Sequence, residues 1–301
     1  MEILIVNNET SDVPLPATYN SHLYKHYPNF SASEHAQENL TNLIVERKIR
    51  TTSAEFVNDP MDCNPAYISN MNVNVFRNYY RYVRDITPQS SEQFELKNII
   101  MRRYPDEKSI LKIRRVPKMW AQTFEKTIMK AFNSFGFVCY TENPRNPLMW
   151  AHYSSSHYGL CVEFPTHPSF ETNVLSDVPL CSFSVNMNYS DDRPRILASE
   201  NIPTTNPEAL QEAILTKSKH WSYEREWRVL GKYKIDPLFE PCTLIDIGEG
   251  EPISSIIFGL KSTSEFRKQI SELVDKSKLN IQLKECYLSK KNYEIRIRKI
   301  S

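Results

Sequence analysis

Apolar and polar positions alternate over Gly159-Leu160-Cys161-Val162-Glu163-Phe164, and Pro165 ends the alternation, which predicts a strand. Leu23-Tyr24-Lys25-His26-Tyr27 has the same character over a shorter run and predicts a short strand or an edge segment. Between them the period lengthens. Ser33 is placed as an N-cap with Gln37 nearby, and Leu40, Leu43 and Ile44 form a helical stripe that fades at Lys48. The β-branched run Ile49-Arg50-Thr51-Thr52-Ser53 predicts a further strand. Asn58-Asp59-Pro60 predicts a turn, because Asn and Asp side chains bond nearby backbone amides and proline stops extension. From about Tyr67 to Phe132 the pattern is helical, with breaks at Pro88, Pro105 and Pro117, where proline removes an amide donor.

After Phe135 short strands dominate. They are expected at Gly136 to Tyr140, at Gly159 to Phe164 and at Ser182 to Tyr189. Glu208 to Trp221 reads as a helix, Glu226 to Leu230 as a strand with an exit at Gly231, and Ile256 to Gly259 as a buried strand. Phe266 to Lys276 is helical, and Asn292 to Ile300 alternates as a last strand. The expected fold is α+β: one domain over residues 1–301, with a mostly antiparallel sheet core and a helical segment inserted at about 67–132.

Composition narrows the function classes. The 301 residues carry 37 Lys and Arg against 36 Asp and Glu, so no global field draws the chain to nucleic acid or to a membrane surface. Arg102-Arg103 and Lys112 to Arg115 form a local basic patch, which a solvated helix face also explains. Six glycines leave no Gly-rich phosphate loop, which disfavours P-loop and dinucleotide-fold sites. Cys63, Cys139, Cys161, Cys181, Cys242 and Cys286 are scattered with no C-x-x-C pair, so reduced structural thiols are expected. No apolar run reaches the roughly 18 residues of a membrane helix, and the start has no basic leader, so a cytoplasmic location is expected.

Two clusters carry candidate chemistry. The first places His152-Tyr153 and His157-Tyr158 at the entrance of the Gly159 to Phe164 strand, where loop imidazoles meet substrates, although packing histidines also occur there. The second is Lys217 to Arg228. On an extended segment Glu224 and Glu226 project to one face while Arg225 points away, and two carboxylates on one face raise the pKa of one of them. A salt-bridged strand, with Glu226 or Glu224 paired to Arg228, is the structural alternative.

These residues also carry a resemblance. Leu23-Tyr24-Lys25, Asn58-Asp59-Pro60, Asp62-Cys63, Met149 to Tyr153, His157 to Phe164, Trp221, Tyr223 to Arg228 and Ile257-Phe258-Gly259 together make the chain similar, nearly end to end, to the bacterial domain of unknown function 2971. That name implies no activity. The layout of Tyr24 on a first strand, His152-Tyr153 before a central one and Glu224-x-Glu226 opening a late one also resembles the site plan of ADP-ribosyltransferases.

The second resemblance implies NAD as substrate, Glu226 as the carboxylate beside the ribosyl cation and Glu224 as the group that activates an acceptor. His152 and Tyr153 complete the implied catalytic set, and Tyr24, Lys25, His157, Tyr158 and Arg228 would bind substrate. Asn58, Asp59, Trp150 and Trp221 would support the site, with no metal and with a nucleic acid or protein as acceptor. The chain departs from that plan by offering Lys25 or His26 where a first-strand His or Arg belongs, and by lacking a Ser-Thr-Ser signature. By analogy the protein would be a toxin or phage-defence effector. Two other classes stay open: a metal-dependent nuclease or phosphodiesterase using Asp59, His152, His157, Glu224 and Glu226, and a non-enzymatic sensor or interaction protein.

Overall fold

In the computed structural model the strand Leu160–Pro165 is buried at every position before Pro165. The alternation in its sequence therefore separates two interiors rather than core from solvent. Leu160, Val162 and Phe164 enter one apolar cluster, and Cys161 enters another with Trp150, Ile257, Cys286 and Ile295. A strand buried on both sides belongs in the middle of a sheet whose two faces are covered.

The structure describes residues 2–3, 20–68, 73–85, 87–88, 91–114, 133, 136–167, 179–197, 212–232, 243–249 and 252–300. Strands in the first half are β1 (Glu2–Ile3), β2 (His22–Tyr27), β3 (Lys48–Arg50), β4 (Thr52–Ser53), β5 (Ala66–Ile68), β6 (Gly136–Thr141) and β7 (Leu160–Pro165). Those that follow are β8 (Val185–Asn186), β9 (Asn188–Ser190), β10 (Arg195–Leu197), β11 (Thr216–Ser218) and β12 (Glu226–Lys232). The last are β13 (Leu244–Asp246), β14 (Ser255–Phe258), β15 (Gln282–Leu288) and β16 (Ile295–Lys299). The helices are α1 (Glu34–Ile44), α2 (Val73–Asp85), α3 (Ser91–Arg103), α4 (Glu107–Leu111), α5 (Pro147–Tyr153) and α6 (Ser264–Ser277).

Ten strands form one sheet in the order β1-β12-β6-β2-β7-β14-β15-β16, with β4 also beside β6 and β8 beside β12. Its pairs are antiparallel except β14 with β15, and α6 supplies the crossover that a parallel pair requires. The fold is thus α+β with a mostly antiparallel sheet. On one face α1 and α6 press Leu40, Leu43, Phe266 and Ile270 onto Leu160, Val162, Ile256 and Phe258. Burying each such side chain contributes about 1.5–3 kcal/mol. The other face carries α5, and it also carries α2 to α4 around Phe137. Phe76, Tyr79, Tyr80 and Val83 recur at helical spacing, so α2 offers them as one buried stripe.

Several elements differ from expectation. The Leu23 to Tyr27 segment is an interior strand, flanked by β6 and β7. Ser33 occupies the N-cap of α1 without a side-chain cap bond. The inserted region begins with β5, which pairs with β10, before α2, α3 and α4; residues 115–132, with Pro117, lie outside the described residues. Ser182 to Tyr189 is a short 3-10 helix followed by β8 and β9. The helix expected up to Trp221 gives way to β11, because Thr216, Lys217 and Ser218 pair with β9; residues 208–211 lie outside the described residues. Such pairing overrides local propensity. The strand β15 was not anticipated.

Candidate functional site

The strands β2 and β6 meet at a single position, Tyr24 opposite Thr141. Beyond it β2 continues along β7 as far as Tyr27, while the first residues of β6 take β4 as their partner instead. The sheet forks there. Lys25 spans the fork, and its ammonium donates to the Cys139 carbonyl at 3.1 Å. A cavity of about 260 Å³ occupies the fork, with Tyr24, Lys25, His26, Asn58, Asp62, Tyr153, Lys217, Glu224, Glu226 and Arg228 in its wall.

Local geometry brings the two glutamates together. Lys219–Glu224 is a 3-10 helix, and Arg225 ends it in the left-handed region with φ 45°, which is uncommon for a residue with a side chain. That kink leaves Arg225 exposed and turns both Glu224 and Glu226 inward. Asn146 ties the turn to α5: its Nδ2 donates to the Tyr223 carbonyl at 2.6 Å, and its Oδ1 accepts from the Leu148 amide at 2.9 Å. Pro147 follows at the first helical position, where its missing amide costs nothing. Met149 and Tyr153, one turn apart, then face the cavity from α5.

Five buried charges interlock beneath the cavity. Lys217 Nζ lies 2.6 Å from Glu224 Oε2, 3.0 Å from Glu226 Oε2 and 3.6 Å from Asp62 Oδ2. Arg228 donates to Glu226 Oε1 at 2.6 Å, to Asp62 Oδ2 at 2.5 Å and to the Ile214 carbonyl at 2.7 Å, with its guanidinium 4.5 Å from the centre of the Phe137 ring. The Glu226 amide donates to the Tyr189 hydroxyl at 2.8 Å. Burial pushes the Glu226 carboxyl up, but Arg228 and Lys217 outweigh it and hold that carboxyl well below the usual range. Glu224 goes the other way. Burial raises it, Lys217 offsets only part, and the neighbouring Glu226 charge adds to the rise.

The Tyr153 hydroxyl donates to Glu224 Oε1 at 2.6 Å and accepts from Asn58 Nδ2 at 3.0 Å. Burial and the Glu224 charge keep this phenol protonated. Burial, reinforced by Lys25, lowers His26 to about 3, so its ring is neutral. Its Nδ1 meets Ser154 Oγ at 3.0 Å, its ring packs edge-to-face with Trp150, and its Nε2 has no hydrogen-bond partner among the described residues.

Of the residues singled out from sequence, Tyr24, Lys25, Asn58, Tyr153, Glu224, Glu226 and Arg228 share the cavity. The Tyr24 hydroxyl itself donates to Glu163 Oε1 at 3.0 Å. His152 is not in the wall: one residue before Tyr153, it is rotated about 100° around α5 and is exposed, with Tyr153 and Trp221 as ring neighbours. His157 and Tyr158 also lie away from it. Ser155, Ser156 and His157 all have positive φ and swing the chain off α5, His157 stacks on Trp150 and lines another cavity, and Tyr158 is exposed under Lys261. Gly159 follows because a Cβ there would collide with the Tyr27 carbonyl oxygen.

Asp59 caps its own turn by accepting from the Met61 amide at 2.9 Å, and it is Asp62 that meets Arg228. Trp150 is fully buried, its indole donating to the Pro144 carbonyl, and Trp221 lies 5.1 Å beneath Lys217 Nζ. Sequence reasoning gave no role to Asp62 or Lys217, and named His26 only as an alternative to Lys25 on the first strand. Lys217 had a signal, since it continues the apolar run Ala213-Ile214-Leu215 and a buried lysine needs acids. His26 had one too, two residues after Tyr24 on the same strand face.

Residues 149–229 match the model of a protein family described as a protein of unknown function, DUF2971. The likeness expected nearly end to end is therefore matched over part of the chain, which includes Tyr153, Lys217, Glu224, Glu226 and Arg228 but not Tyr24, His26, Asn58 or Asp62. No curated protein and no solved structure matches. These comparisons show no likeness to ADP-ribosyltransferases. Among the described residues no group of three or more His, Cys, Asp and Glu is placed to hold a metal, and no helix is long and apolar enough to cross a membrane.

Proposed function

We propose that the cavity at the fork cleaves a ribosyl bond to a ring nitrogen, as in NAD, and passes the ribosyl group to water or to another acceptor. The observation that carries this reading is the unequal pairing of Glu224 and Glu226: Arg228 and Lys217 hold the two oxygens of Glu226, while Lys217 and the Tyr153 hydroxyl hold those of Glu224, so one carboxyl is raised and its near neighbour lowered. Two carboxyl groups whose surroundings push them apart divide the labour of acid-base and electrostatic catalysis. Glu226 has both oxygens held by cations, so its charge is fixed and it stabilises a neighbouring positive centre electrostatically. The nicotinamide ring leaves as a neutral heterocycle, taking the bonding pair, and needs no proton. Glu224 then removes the proton from the attacking hydroxyl, and its raised pKa makes it a stronger base than an ordinary carboxylate.

The size of the cavity supports a ribosyl-sized guest. At about 260 Å³ it has room for a sugar and its attached ring. A metal-dependent nuclease fits less well. Lys217 already sits among Asp62, Glu224 and Glu226, where a divalent ion would have to go. A non-enzymatic role is favoured by one observation, the mutual pairing of all five charges, which would also serve as a buried brace.

The deciding experiment compares wild type with Glu224→Gln for NAD consumption and nicotinamide release, with and without nucleic acid or protein acceptors. Release by wild type and its loss in the variant uphold cleavage; no release under any condition leaves the brace. Toxicity on induction in a bacterial host is the cellular readout for an effector role.

A further inference from the structure

A second cavity of about 350 Å³ opens on the same face of the sheet and shares the Tyr24 wall with the first. Arg145, Lys284 and Lys299 present cations to it against the Glu163 carboxylate, while Arg298, opposite Glu285, turns its side chain to the α6 face, so the charge on this wall is net positive among the described residues. Only part of that charge is met. Lys284 reaches Glu163 at 2.6 Å, but Arg145 comes no nearer than 3.9 Å to Glu294. Lys284 and Lys299 stand directly opposite each other on β15 and β16. Like charges in that position repel, and Glu163 offsets the charge of Lys284.

Tyr24 joins the two cavities. Its hydroxyl is held by Glu163, whose other oxygen takes Lys284 and Ser255, so the partition is fixed from the basic side. Whatever extends from the first cavity past Tyr24 meets these cations. We infer that the second cavity binds the phosphate groups of the ligand whose ribosyl end occupies the first, a nucleoside diphosphate lying across Tyr24. This rests on the ribosyl-cleavage reading for the identity of the buried end, while the anion site stands on its own geometry.

Inorganic pyrophosphate is the probe, titrated into the full chain by calorimetry. Wild type binds it. Charge reversal at two exposed positions, Arg145→Glu with Lys299→Glu, weakens binding by about tenfold or more, because charge-assisted hydrogen bonds are replaced by repulsion. Lys268→Glu, exposed on α6 across the sheet, keeps wild-type affinity, as does Glu224→Gln. NAD displaces pyrophosphate in competition. Absence of pyrophosphate binding, equal binding by the double variant, or NAD binding without displacement overturns the proposal. If NAD and pyrophosphate compete but no nicotinamide is released, the phosphate site stands and the cleavage reading falls.

Discussion

The Tyr153 hydroxyl donates a 2.6 Å hydrogen bond to Glu224 Oε1 across 71 residues of chain. This bond couples α5 to the turn that carries the glutamate pair, and Asn58 extends it to the turn before Asp62. It favours the charged form of Glu224 and so opposes the rise caused by burial. Tyr153→Phe removes it without removing the ring. The acid limb of the rate profile for nicotinamide release then moves to higher pH. An unmoved limb would show that Glu224 is not the titrating group.

The two glutamates should respond differently to the same change. Glu224→Gln costs about two to four orders of magnitude in rate, the usual range for a positioned proton acceptor. It keeps stability within about 1 kcal/mol, since a neutral side chain relieves the burial of a third carboxylate. Glu226→Gln leaves Arg228 and Lys217 short of charge in a buried setting and costs about 3–5 kcal/mol. Urea denaturation beside rate measurements separates them; a Glu226→Gln protein as stable as wild type would show that this pairing does not brace the fold.

Stability should fall in acid. The folded pKa of Glu226 lies below its ordinary value of 4.5, so its contribution is fully present above that pH and is lost as pH falls through the folded value. Glu163 and Glu285 are lowered too and act in the same direction. Glu224 is raised and acts oppositely, its unfavourable charge being relieved on acidification. Denaturation midpoints from pH 7 down to 3 should therefore decline below about 4.5, and Glu226→Gln should flatten the decline.

The turn at Asn58 to Cys63 holds two aspartates with different duties. Asp59→Ala removes one bond to the Met61 amide and costs about 1 kcal/mol. Asp62→Ala strips Arg228 of a buried partner and costs about 3–5 kcal/mol. Chemical denaturation of both variants checks the difference, and equal losses would contradict it.

Much of the site was legible as residue types. Tyr153, Glu224, Glu226 and Arg228 stood out because polar groups at strand ends are candidates for chemistry, and these four do line one cavity. The opposed shifts of the two glutamates were not legible. Which glutamate is raised depends on where Arg228, Lys217 and Asp62 lie, and Asp62 comes from a turn 166 residues away from Arg228.

What the sequence determined by itself is local: the alternation of Leu160 to Phe164, the stripe of Phe76, Tyr79, Tyr80 and Val83, the breaks at Pro88 and Pro105 and the turn at Asp59. Backbone geometry sets these periods within a few residues, so neighbours along the chain reveal them. Only the tertiary structure decided that β4 replaces β2 beside β6, that Lys217 lies on a strand among three acids, and that Tyr153 rather than His152 faces the cavity. Those outcomes depend on strand pairing and register between distant segments, where a shift of one residue exchanges the two faces of a strand.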